Sequence, residues 1–233
     1  MTWTGKNEVV HEPLARDEME AMLKDVDASY AIRHVPKGAM VIWPGEADDN
    51  HYYVAEGSVE CFRLDRDGRK KVIDRYGEGM FFGYHILRDD CMPMSTMRCE
   101  EDSRLVVIPK ESFFKLLHGS PKFADRCVRY LFGVLSMQTN EMLNQSFYDT
   151  GQRVPMLLSG LVSERLSEGA FDERGVLIPL GNNEIADMLG VSRNSVTSVV
   201  SRLQAQGIVE KQRNALRVID PERLADIARR EQE

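Results

Sequence analysis

Residues 181–207, GNNEIADMLGVSRNSVTSVVSRLQAQG, admit few folds, because their apolar spacing fits two short helices that meet at a tight turn. Ile185, Ala186 and Leu189 give the first helix an apolar face. Gly190 follows where the chain must turn, and only glycine takes the left-handed backbone cheaply. Val191, Val196, Val199, Val200 and Leu203 then recur at helical spacing and define the buried side of a second helix. Ser192 is a good N-cap for it. With the valines turned inward, Arg193, Asn194, Ser195, Thr197 and Ser198 face outward on the first turns, a donor-rich surface suited to base edges in a major groove. The plainer alternative is an amphipathic helix pair with no such role. A small residue at Ala186, a glycine four residues on and three apolar anchors favour the helix-turn-helix.

The chain has 233 residues, enough for two domains or one large one. No apolar run approaches membrane-spanning length, and the N-terminus (MTWTGKNEVVHEP) lacks a signal-peptide core, so a cytoplasmic location without membrane attachment is expected. The four cysteines, Cys61, Cys91, Cys99 and Cys127, are scattered and encode neither a disulfide framework nor a zinc knuckle. A net charge of −7 ordinarily argues against nucleic acid. Residues 190–217 nevertheless carry Arg193, Arg202, Lys211, Arg213 and Arg217 against Glu210 alone, a local basic patch on an acidic chain.

Residues 1–30 read as a polar arm with a short helix around Glu18–Val26. From Ile32 to Ile108 short β-rich runs alternate with turn signals: Met40–Trp43, Tyr52–Val54, Val59–Leu64, Lys71–Tyr76 and Leu105–Ile108. Even spacing with glycine at the corners predicts an antiparallel β-roll or barrel, with Asp67-Gly68 the clearest hairpin. A long helix is predicted from Pro121 to Tyr148. Val128, Leu131, Leu135, Gln138, Met142 and Gln145 form a heptad seam on it, suggesting a parallel dimer contact; a single core helix is the alternative. Phe123, Cys127, Tyr130, Val134 and Met137 lie opposite and would pack on the roll. Asp149-Thr150-Gly151 is expected to break the helix as a hinge. A helix Val154–Leu166, a strand Val176–Pro179 and a wing of Ile208–Glu210 and Leu216–Ile219 joined through Gln212-Arg213-Asn214 frame the helix-turn-helix. Pro221–Glu233 reads as a charged, solvated terminal helix.

This order resembles the CRP/FNR family of bacterial transcription regulators. The resemblance rests on PKGAMVIWPGEADDNHYYVAEGSV with Gly38, Pro44-Gly45, Tyr53 and Gly57 at the corners, on DGRKKVIDRYGEGMFFG, on Phe147–Asp149 and on EIADMLGVSRNSV. It implies an α+β chain: an antiparallel β-roll (a double-stranded β-helix like cyclic-nucleotide-binding domains), a long dimerisation helix and a C-terminal winged helix-turn-helix. The expected domains are an arm and sensor roll at 1–120, the dimerisation helix at 121–148 and the DNA-binding domain at 149–233. The resemblance further implies a homodimer on a two-fold-related double-stranded DNA operator, with half-sites roughly 34 Å apart, contact with RNA polymerase, and a small-molecule effector.

The sequence also departs from that family. Cyclic-AMP-binding members carry a glutamate after the roll's Phe-Gly and an Arg-Ser pair for the cyclic phosphate. Here Tyr84 follows Gly83, and no arginine stands at Pro93-Met94-Ser95. A buried phosphodiester without its guanidinium loses charge-assisted hydrogen bonds, which argues against a cyclic nucleotide. Oxygen-sensing members hold an iron–sulfur cluster on clustered N-terminal cysteines, whereas the first cysteine here is Cys61. Three effector readings stay open. A small apolar or aromatic organic ligand would meet Gly83, Tyr84, His85, Met92, Met94, Ser95, Tyr130, Met137, Gln138 and Thr139, which looks like the halogenated-phenol sensors of organohalide-respiring bacteria; alternatively these side chains are simply core. Thiol redox control would use Cys91 and Cys99 as exposed cysteines on a polar loop. Haem would use His85, without the neighbouring cysteine ligand of carbon-monoxide sensors.

An enzyme is the competing class. A cupin-like metal site needs a His-x-His, but His11, His34, His51, His85 and His118 stand apart, and no nucleophile–base pair replaces them. A non-enzymatic regulator without a resident cofactor or metal is therefore expected. DNA contacts are assigned to Ser192, Arg193, Asn194, Ser195, Thr197, Ser198, Arg202, Lys211 and Arg213. Arg193 is the candidate for a guanine, and Asn194, where relatives usually carry glutamate, for an adenine.

Overall fold

The alternation of side chains in the β-rich half decides its layering. The structure, a computed structural model, describes residues 13–230; the expected arm through residue 12 and the last three residues of the terminal helix lie outside the described residues. After α1 (Arg16–Asp25) come β1 (Ala31–Val35), β2 (Met40–Ile42), β3 (Asn50–Glu56), β4 (Val59–Leu64), β5 (Lys70–Tyr76), β6 (Phe81–Phe82), β7 (Thr96–Cys99) and β8 (Ser103–Pro109). They form two antiparallel four-stranded sheets, ordered β1-β8-β3-β6 and β2-β7-β4-β5. Strand β3 is buried on both faces. Tyr52 and Val54 join the core between the sheets, where the Tyr52 and Phe82 rings stack 4.8 Å apart. One residue along, Tyr53 points to the opposite face, as the period of two requires.

That opposite face is covered by helices. Leu14, Met19 and Leu23 from the α1 region pack there with Phe113 and Leu116 of α2 (Lys110–Gly119) and Phe123 and Cys127 of α3 (Pro121–Phe147). Each buried leucine or phenylalanine contributes about 1.5–3 kcal/mol. The Tyr53 hydroxyl, buried among them, donates to the Leu14 carbonyl at 2.8 Å.

The second core belongs to the C-terminal part: α4 (Thr150–Ser167), β9 (Val176–Ile178), α5 (Asn182–Leu189), α6 (Arg193–Ala205), β10 (Val209–Gln212), β11 (Ala215–Val218) and α7 (Pro221–Arg230). Strands β10, β11 and β9 form a three-stranded antiparallel sheet in that order. The described chain thus divides into two compact units, one of residues 13–63 and 72–136, the other of residues 64–71 and 137–230. No helix among the described residues is long and apolar enough to cross a membrane.

Several expectations are corrected. The break after α3 is confined to Tyr148 and Asp149, so Thr150 and Gly151 belong to α4 rather than to the break. Asp149 explains this: its carboxylate accepts from the Gln152 N–H at 3.1 Å while the Gln152 side chain accepts from the Asp149 N–H at 2.9 Å. Helix α7 is no merely solvated element, since Leu224 is buried in the second core with Ile227 packed against it, and Ala228 is buried as well. Strands β6 and β7 and helix α2 were not expected at all; the first is two residues long, too short for a periodic signal.

Candidate nucleic-acid interface

Each end of the turn between α5 and α6 is closed by a local hydrogen bond. Gly190 takes φ 65°, which lets the Val191 N–H reach back to the Ala186 carbonyl at 3.1 Å. Ser192 then caps α6, its hydroxyl accepting from the Ser195 N–H at 3.1 Å and lying 2.8 Å from the Ser195 hydroxyl. Ile185, Ala186 and Leu189 of α5 are buried with Val196, Val199, Val200 and Leu203 of α6. At 100° per residue those four residues occupy one side of α6. The opposite arc exposes Arg193, Asn194, Ser198, Ser201, Arg202 and Gln204.

Two assigned residues on that helix are more engaged than the spacing implied. Thr197 is half-buried, because its hydroxyl accepts from the Asn182 side chain of α5 at 2.9 Å. The exposed Arg202 guanidinium donates to the Gly151 carbonyl at 3.2 Å. Ser201 and Gln204 were missed; extending the same helical period by one turn places both outward. On the wing, Lys211 and Arg213 are exposed, and Asn214 turns the hairpin at φ 55°. Arg217 leaves the basic patch: its guanidinium grips both oxygens of Asp172, at 2.7 and 2.8 Å. Arginine, asparagine and serine donors around a helix N-terminus, flanked by exposed cations, form a surface matched to a polyanion with base edges.

The residues assigned to an effector divide. Gly83 is buried at φ 92°, and a Cβ there would meet the Asn50 carbonyl at 3.0 Å, so the close approach demands glycine. Tyr84 stacks on Tyr130 at 4.6 Å and meets the edge of His51 at 4.6 Å. The Tyr130 hydroxyl lies 3.0 Å from that of Tyr76. Burial, and then the neighbouring Cys127 and Tyr130, hold the Tyr84 phenol well above its ordinary range. Ser95 is half-buried, whereas Met94, Gln138 and Thr139 are exposed. His85 donates from Nε2 to the Asp48 carbonyl at 2.9 Å, and a nitrogen so engaged is not offered to an iron. The cysteine expectation is corrected: Cys91 and Cys99 are buried, the latter inside strand β7, so neither thiol sits on an exposed loop.

Arg75 and Arg98 of the roll both turn onto the buried Glu60 carboxylate, at 3.2 and 3.0 Å. Arg98 also lies over the Phe62 ring, 5.1 Å from its centre.

Comparison with known proteins follows the same division. Residues 32–120 match the model of the cyclic nucleotide-binding domain and residues 152–227 that of the Crp-like helix-turn-helix domain. The cyclic AMP receptor protein of Thermus thermophilus is 26% identical over 205 residues, covering 88% of this chain and 91% of the relative. A CooA variant from Carboxydothermus hydrogenoformans superposes with a TM-score of 0.76 over 96% of this chain and 99% of its own, at 18% identity. CprK complexed with OCPA gives a TM-score of 0.70 over 92% and 94%, again at 18% identity. At such identities the two structures establish a common fold.

Proposed function

The chain belongs to the CRP/FNR family of DNA-binding transcription regulators, and from that premise we propose an effector-responsive homodimer, switched by a small organic ligand and bound to a two-fold-related operator. One observation carries the DNA-reading part: a serine-capped helix buries four apolar residues on one side and exposes Arg193, Asn194 and Ser198 on the other. Phosphate contacts by Arg202, Lys211, Arg213 and the helix N-termini would supply most of the affinity and make it salt-sensitive. Base contacts by Arg193 and Asn194 would supply specificity, at about 1–3 kcal/mol per good bidentate pair.

The roll supports an organic effector over a cyclic nucleotide. Where cyclic-AMP-binding members place a glutamate, the Tyr84 ring occupies the space against Tyr130, and Arg75 and Arg98 face Glu60. Tyr84, Tyr130 and Ser95 are the proposed contacts. The ligand would shift a two-state equilibrium; reversing a 1:99 distribution takes about 5.5 kcal/mol of preference for one state. RNA polymerase is the proposed partner on DNA.

An unbiased selection from random duplexes, with and without cell-extract metabolites, tests the proposal. Recovery of a two-fold-related motif that depends on the extract supports it, and cyclic AMP alone should not substitute. A protein that selects no duplex in either arm ends the reading.

A further inference from the structure

Helix α5 leaves its last carbonyls without helical partners, as every α-helix does; the Ala186 carbonyl is satisfied locally, but the donors to the Met188 and Leu189 carbonyls come from far away in sequence. Within the unit formed by residues 64–71 and 137–230, Arg153 of α4 donates to the Leu189 carbonyl at 2.9 Å, and the Lys71 ammonium donates to the Met188 carbonyl at 2.6 Å. Both cations converge on one carboxylate of α3. Glu141 Oε1 lies 2.9 Å from Lys71, 3.0 Å from Arg153 and 2.8 Å from the Gln145 side-chain amide. The Arg153 side chain is only 10% exposed and that of Glu141 only 20%, so water competes weakly for these bonds. Lys70 lies 3.8 Å from Asp187 of α5. Two positive charges against one carboxylate leave an excess that suits the negative end of the α5 dipole. Three residues separate Leu189 from Arg193, where α6 begins.

We propose that Lys71, Glu141 and Arg153 are positioning residues of the DNA reader: they clamp the C-terminal end of α5 and thereby set where the first turn of α6 is presented. This rests on α6 being the reading helix. None of the three is assigned to DNA, so their removal should change the placement of the reader without removing a phosphate contact.

The test compares wild type with Arg153→Met, Lys71→Met and Glu141→Gln, with Arg153→Lys as the conservative variant. The probes are a selected operator duplex and a random duplex. Operator affinity should fall about tenfold for Arg153→Met, the loss typical of a charged hydrogen bond, and recover in part for Arg153→Lys. Affinity for random duplex should hold, so the ratio of specific to non-specific binding falls; partial unfolding would lower both alike. The slope of log affinity against log salt should stay at the wild-type value. A slope reduced by about one unit per removed cation, or variants that discriminate as wild type does, overturns the proposal. Hydrogen exchange of the amides at 189–195 gives a reading free of DNA. It should quicken in Glu141→Gln, and unchanged exchange sinks the clamp even if the wild-type protein binds no DNA; quickened exchange in a protein that binds none keeps the clamp and removes the reader.

Discussion

His51 sits among Phe81, Tyr84 and Phe113 with neither ring nitrogen at hydrogen-bonding geometry to a protein partner. Burial, opposed weakly by the Gly83 backbone, pushes its pKa down to about 3 from an ordinary 6.5. The imidazole is therefore neutral in the folded protein, whereas the unfolded chain takes up a proton first as pH falls. Its contribution to stability is complete above pH about 6.5 and is lost between there and about 3, at roughly 1.4 kcal/mol per pH unit. Burial lowers His85 too, so it acts in the same sense, with Asp48 opposing it. Urea unfolding at pH 7.5 and 5.0 should show wild type losing about 2 kcal/mol more than His51→Leu; equal losses would refute the assignment. On the reading helix the two classes of contact separate. Arg193→Ala should flatten preference at one base pair, and Lys211→Ala should weaken all sequences alike, as read by binding selection. Uniform losses in both would undo the assigned roles. The exposure of Arg193 was legible from spacing alone. The engagement of Arg217 by Asp172 was not, because a loop 45 residues away supplies the carboxylate.

Local chemistry set most of the elements and their ends. Ser192 caps α6 and Asp149 caps α4 with the hydrogen bonds their types favour. Ser192→Ala should cost about 1 kcal/mol, and Gly190→Ala about as much, since its φ of 65° strains any Cβ. Thermal unfolding of the two variants checks this, and an unshifted midpoint for Gly190→Ala would mean the turn relaxes out of the left-handed region. The helix break expected at Asp149-Thr150-Gly151 falls instead at Tyr148 and Asp149, because a capping aspartate starts the next helix at once. Between Pro109 and Pro121 the buried Phe113 and Leu116 of α2 stand three apart, a signal too short to separate helix from strand. Cys99 looked exposed because polar and acidic neighbours surround it in sequence, yet its strand pairs with β4 and buries it.

Helix α3 exposes Val128 (64%), Leu135 (60%) and Met142 (61%) along the seam expected from heptad spacing, with Phe132 (69%) beside it. The proposed homodimer would cover this apolar stripe with that of a second copy of α3. Leu135→Glu should convert a dimer to a monomer in light scattering and abolish binding to a paired operator while the unit folds remain. A variant that stays dimeric would place the contact elsewhere. The sequence alone determined the order of elements, the helix-turn-helix and the exposed face of α6, because periodicity, caps and glycine turns act within a few residues. Only tertiary structure decided which charges remain exposed, that the cysteines are buried and what secures the end of α5. Those outcomes depend on pairings such as Arg217 with Asp172 and Arg153 with Glu141, whose partners meet only when distant segments pack.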